Sequence, residues 1–127
     1  MPKPEIEEFA KILVQQVRDA AVRSSDQQLR PDVENVVAKR WKDAGRDGNL
    51  DSIAKVLIPD IVDDTVFYLL QAIDQGLLRL SFTASNGNTV NLPEDGLGEL
   101  GGWYMASGGW RAMHSQERFV DDFSDLA

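Results

Sequence analysis

A chain of 127 residues with 43% apolar and 27% charged side chains has the size of one globular domain, taken as residues 1–127, and is too apolar for disorder. It has no cysteine, which excludes disulfides, thiolate metal sites and cysteine nucleophiles. A net charge of −8 disfavours direct nucleic-acid binding, and the lack of an apolar run of roughly 18 residues or of an apolar stretch in MPKPEIEEF leads us to expect a cytoplasmic protein with no membrane association.

From Pro4 to about Arg23, apolar residues at Ile6, Phe9, Ala10, Leu13, Val14, Val17, Ala20 and Ala21 form one helical stripe. Pro4 suits a first turn, and Glu5, Glu7 and Glu8 suit the positive end of the helix dipole. Ser24–Arg30 is polar and reads as a loop. A second helix is expected over Pro31–Ala44, with Val33, Val36, Val37 and Trp41 inward and Gly45 as its stop. A short helix, Leu50–Leu57, should end before Pro59. Asp60 would then cap a fourth helix running to about Gln75, closed by Gly76 and the most buried of the four, with Asp63 and Asp64 in its first turn.

At Leu78 the period changes. Leu78, Leu80, Phe82 and Ala84 alternate with polar residues, and Val90 and Leu92 continue beyond Ser85-Asn86-Gly87. A two-residue loop would pair Phe82 with Asn91 and mix polar and apolar faces. A three-residue loop pairs Phe82 with Val90 and Leu80 with Leu92, and puts Gly87 at the left-handed position. Beyond Pro93, Ser107-Gly108-Gly109 suggests a second hairpin between Trp103–Ala106 and Trp110–His114. The competing reading is a helix through Leu97–Met105, in which the glycines at 98, 101 and 102 would cost about 1 kcal/mol each. Ser115 resembles a cap for a short C-terminal helix over Gln116–Asp125. The expected fold is α+β: about four helices in the N-terminal half, packed on a small antiparallel sheet from the C-terminal half.

Charge is uneven. Residues 1–58 carry ten bases and ten acids, whereas residues 59–127 carry Arg79, Arg111 and Arg118 against eleven acids. Such a field attracts basic proteins. Glycine and aromatic residues concentrate in Gly96–Met113, where the tryptophans are read either as core or as an interface. On the interface reading, a partner surface would comprise Trp103, Tyr104, Trp110 and Arg111, rimmed by Glu94, Asp95, Glu99, Asp121 and Asp122.

Catalytic motifs are weak. The one histidine, His114, could join Ser107 or Ser115 and Asp95 or Glu99 in a hydrolytic triad, but no nucleophile elbow is present. Gly96–Gly101 matches G-x-G-x-x-G without the preceding βαβ strand and amid acids that oppose a pyrophosphate. The carboxylates at 60–64 and 121–125 lack a calcium-loop pattern and read as solvated helix ends, so neither a metal nor a cofactor is expected. The sequence therefore points to a non-enzymatic acidic interaction module, such as an immunity or antitoxin-like inhibitor of a basic toxin or nuclease. The alternative is a small-molecule binder or minor hydrolase with a pocket at His114, Trp110 and Tyr104.

Overall fold

The computed structural model describes residues 3–46 and 48–119. The fold is α+β. Helices α1 (Pro4–Ile12), α2 (Asp19–Gln28), α3 (Val36–Ala44) and α4 (Leu50–Asp74) are followed by an antiparallel hairpin, β1 (Ser81–Thr83) and β2 (Thr89–Asn91). Three short helices complete it: α5 (Leu92–Asp95), α6 (Leu100–Met105) and α7 (Trp110–His114).

Between α1 and α2 the helix continues through a π-helical segment, Leu13–Arg18, in which the Asp19 amide donates to the Val14 carbonyl five residues back. One extra residue in the turn advances the buried face by one position. Ile6 and Ala10 are buried before it, Leu13, Val14 and Arg18 within it, and Asp19 and Val22 after it, while Val17, expected inward, is exposed. The helix also runs on through the segment read as a loop, to Gln28. The second helix starts later than expected, at Val36, because Asn35 accepts a 2.8 Å bond from the Ala38 amide and caps it.

The break expected at Pro59 does not occur; α4 is a single helix of 25 residues with Pro59 inside it. Proline lacks the amide that would satisfy the carbonyl of Lys55. Arg118 supplies the missing donor, its Nε lying 2.9 Å from that oxygen. The same guanidinium holds Asp26 of α2 through two bonds of 2.8 and 2.9 Å. Asp60, Asp63 and Asp64 thus lie in mid-helix rather than in a first turn, and dipole stabilisation does not account for them. The C-terminus of α4 behaves as expected: Gly76 and Leu77 donate back to Ile73 and Ala72, the double closure of a helix ending in a left-handed glycine. Nor is this helix buried all round. It packs against α2 and α6, yet Ile53, Val56, Leu57, Ile61, Tyr68 and Leu69 are exposed.

The hairpin has the expected register, with Phe82 opposite Val90 and the Leu92 amide 2.9 Å from the Leu80 carbonyl. Its loop is Ser85-Asn86-Gly87, with Gly87 at φ +86°. Leu78 and Leu80, however, remain exposed. The tip is fastened to α1: Glu8 accepts from the Ser85 amide and hydroxyl, and Glu5 from the Asn86 amide group.

The main core gathers Ile6, Ala10, Leu13 and Val14 against Val66, Leu70 and Ile73 of α4, and then Val90, Leu92, Leu100, Tyr104 and Trp110. Each large apolar member contributes about 1.5–3 kcal/mol by its burial. Val22, Ala54 and Ile58 form a second cluster, on which Trp41 packs. Among the described residues no helix is long and apolar enough to cross a membrane.

Candidate functional site

The glycine-rich aromatic stretch forms helices, not the second hairpin. The start of α6 is capped from a distance: the Asp74 carboxylate, at the end of α4, accepts from the amides of Leu100 (3.0 Å) and Gly101 (2.9 Å). That carboxylate occupies the anion-binding position of α6, so the G-x-G-x-x-G match at Gly96–Gly101 offers no phosphate site there. At the turn into α7, a Cβ on Gly109 would stand 2.3 Å from the Trp103 carbonyl oxygen, so α6 and α7 approach as closely as they do only because this residue is glycine. A short helix does stand near the C-terminus, as α7. Gln116–Phe119 are not helical, and the remainder of the helix expected over Gln116–Asp125 lies outside the described residues. Ser115 closes a turn of its own, its Oγ accepting from the Glu117 amide at 3.0 Å.

Of the expected partner surface, Tyr104 (0% exposed), Trp110 (2%) and Arg111 (2%) are interior. Trp103 is half-buried, Glu94 and Glu99 are exposed, and Asp95 is half-buried and paired with Lys3 at 2.8 Å. Asp121 and Asp122 lie outside the described residues.

Arg111 and Tyr104 are interior because they serve a charge network that the sequence reading missed. At its centre is Asp63, 3% exposed. Its carboxylate accepts from Arg18 Nε (2.9 Å) and Nη2 (3.3 Å), from Arg111 Nη1 (2.9 Å) and from the Tyr104 hydroxyl (2.6 Å). Arg18 also donates to Asp19 Oδ1 (2.9 Å) and to the Arg118 carbonyl (2.6 Å). Asp19 in turn accepts from the Gln116 amide (2.7 Å) and the Ser115 hydroxyl (2.9 Å). Two arginines and two aspartates balance in charge, which makes their burial tolerable. Burial works against the charge of Arg18, but its bonds to Asp63 and Asp19 prevail and raise its pKa. Tyr104 is pushed far up, by burial first and by its bond to Asp63 second. A phenol so placed stays protonated, and these groups bind one another rather than a substrate.

The hydrolytic constellation does not assemble around Ser115 among the described residues. The Ser115 hydroxyl is held by Asp19, Arg18 and Glu117, while Nε2 of His114 lies 3.7 Å from Glu7 Oε2. Nor do the three residues of the alternative pocket meet, since Tyr104 is turned to Asp63. Beside Trp110 there is, however, a cleft of about 460 Å³, lined by Trp103, Trp110, Met113, Glu7 and the Ser107–Gly109 turn. The two indoles stand 6.0 Å apart and tilted by 43°. Among the described residues no three histidine, aspartate or glutamate side chains are placed to share a metal ion.

The surface charges are sorted in a way composition alone does not reveal. All three arginines of the acidic half are engaged: Arg79 with Glu94, Arg111 with Asp63 and Arg118 with Asp26. Asp60, Asp64 and Glu99 are exposed, and none of them appears in an ion pair among the described residues. Comparison of the chain with protein-family models, with curated proteins and with solved structures finds no match, so its function has to be read from this arrangement of charge and exposed surface.

Proposed function

We propose that this chain is a non-enzymatic acidic interaction module that binds a basic protein, in the manner of an immunity or antitoxin-like inhibitor. The observation that supports it is the sorting of charge. The bases of the acidic half are taken up by internal or neighbouring acids, while Asp60, Asp64 and Glu99 stay exposed without a cation. A field of one sign speeds encounter with a partner of the other and falls with salt.

The test is capture from a native lysate on immobilised protein at low salt. Basic proteins should be retained and released as salt rises, and the triple variant Asp60→Asn, Asp64→Asn, Glu99→Gln should retain less at an unchanged melting temperature. Retention of nothing, or of acidic and basic proteins alike, would refute the proposal. The cleft beside Trp103 favours a second reading, a site for a small apolar ligand. A compound that raises the melting temperature of the protein but not that of a Met113→Lys variant would support it.

A further inference from the structure

We infer that the outward face of α4 is a docking surface for a basic amphipathic helix of the partner; this rests on the basic-partner reading and names the surface and the chemistry it recognises. Ile53, Leu57, Ile61 and Tyr68 are 55%, 47%, 61% and 63% exposed. With Asp64 between the last two, they follow one another at steps of four, four, three and four, which places them in a single row along one helix face. The row is about 22 Å long at 1.5 Å per residue. Apolar residues exposed in a continuous row, rather than singly, mark an interaction surface.

The occupant follows from the charges in the row. Asp64 lies within it and Asp60 beside it, both exposed and outside every ion pair among the described residues. A second copy of the chain fits poorly. Antiparallel, matching Ile53 to Tyr68 sets Asp64 against Leu57 and Asp60 against Ile61; parallel, each aspartate meets its twin. Either arrangement strips water from carboxylates that gain no cation. An anionic lipid surface is repelled by the same two groups. A helix presenting apolar residues at i, i+4, i+7 and i+11, flanked by lysine or arginine, fills the row and pairs both aspartates.

The full-length protein is titrated with an amidated 18-residue peptide of leucines at that spacing and lysines elsewhere, and with its leucine–glutamate counterpart. The lysine peptide should bind and gain helicity, with backbone amide shifts concentrated in α4. Ile61→Ser should weaken binding at least tenfold, and Asp60→Asn with Asp64→Asn several-fold with a shallower salt dependence, all at wild-type melting temperature. Undiminished binding to Ile61→Ser, or equal binding of the glutamate peptide, overturns the docking surface. So does sedimentation of the free protein as a dimer that Ile61→Ser disperses, or co-pelleting with phosphatidylglycerol vesicles. If basic proteins are still captured from lysate when Ile61→Ser is without effect, the module binds a basic partner elsewhere; if no basic protein is captured at all, the functional proposal fails first.

Discussion

Asp63 ties α4 to three other parts of the fold, since the π-helical segment, α6 and α7 each donate to its two oxygens. Asp63→Asn would keep the shape but remove the buried carboxylate charge that Arg18 and Arg111 share. We expect a loss of about 3–5 kcal/mol, the range for breaking a buried pair by removing one partner. Tyr104→Phe removes one bond to a charged acceptor and should cost about 1.5–3 kcal/mol. Asp64→Asn, one residue along but exposed, should change stability by no more than about 0.5 kcal/mol. Urea unfolding of the three variants checks this order, and equal effects at positions 63 and 64 would show that the network does not support the fold. The centre of this network was legible in part: Asp63 falls three residues before Val66 and seven before Leu70, a core position on α4. Its partner was not. Arg18 comes inward only because of the π turn, and nothing in a 3.6-residue period announces an extra residue.

At the scale of elements, α4 shows how a distant residue overrides a local rule. Proline inside a helix costs about 3 kcal/mol, in part through the carbonyl it leaves without a donor, and Arg118 donates to that carbonyl. Pro59→Ala would give Lys55 its own helical donor. Arg118→Met alone should therefore cost more than the same change made in the Pro59→Ala background, by about 1 kcal/mol of coupling. A double-mutant cycle read by urea unfolding measures this, and additivity would mean that Arg118 acts only through Asp26. The break expected at Pro59 failed because the compensating donor lies 59 residues further along the chain. The glycine-rich stretch was misread for a similar reason. The cost of glycine in α6 is local and visible, whereas the offsetting cap from Asp74 and the close approach at Gly109 are tertiary. The hairpin was legible down to its register because there a local constraint decides: only one loop length keeps Phe82 and Val90 on the same face.

Across the molecule, one end is held by carboxylates in a way that acid should undo. Glu5 is held below the ordinary glutamate range by the Asn86 side chain first, then by its own backbone amide and Asn88. Asp95 is held below the ordinary aspartate range by Lys3, then by the Asn91 amide, which donates to it at 2.8 Å. These two groups tie the start of α1 to the hairpin tip and to α5. Because both folded-state pKa values are depressed, the folded protein binds fewer protons than the unfolded chain between the two sets of values, and stability rises with pH across that window. Their contribution is complete above the unfolded carboxylate values of about 3.9–4.3 and is lost as pH falls through the lower folded values. Lys3 behaves oppositely: its pKa is raised by the bond to Asp95, so its share is complete at neutral pH and disappears only in strong alkali. Glu5→Gln and Asp95→Asn should each melt below wild type at pH 7, and the difference should shrink steadily below about pH 4. Protection of the Ser85–Asn88 amides, relative to their intrinsic exchange rates, should be lost in acid before that of the α4 segment that carries Val66 and Leu70. A difference in melting temperature that stays constant from pH 7 to pH 3 would mean that these carboxylates contribute through shape rather than charge, and that the acid-sensitive element lies elsewhere in the molecule.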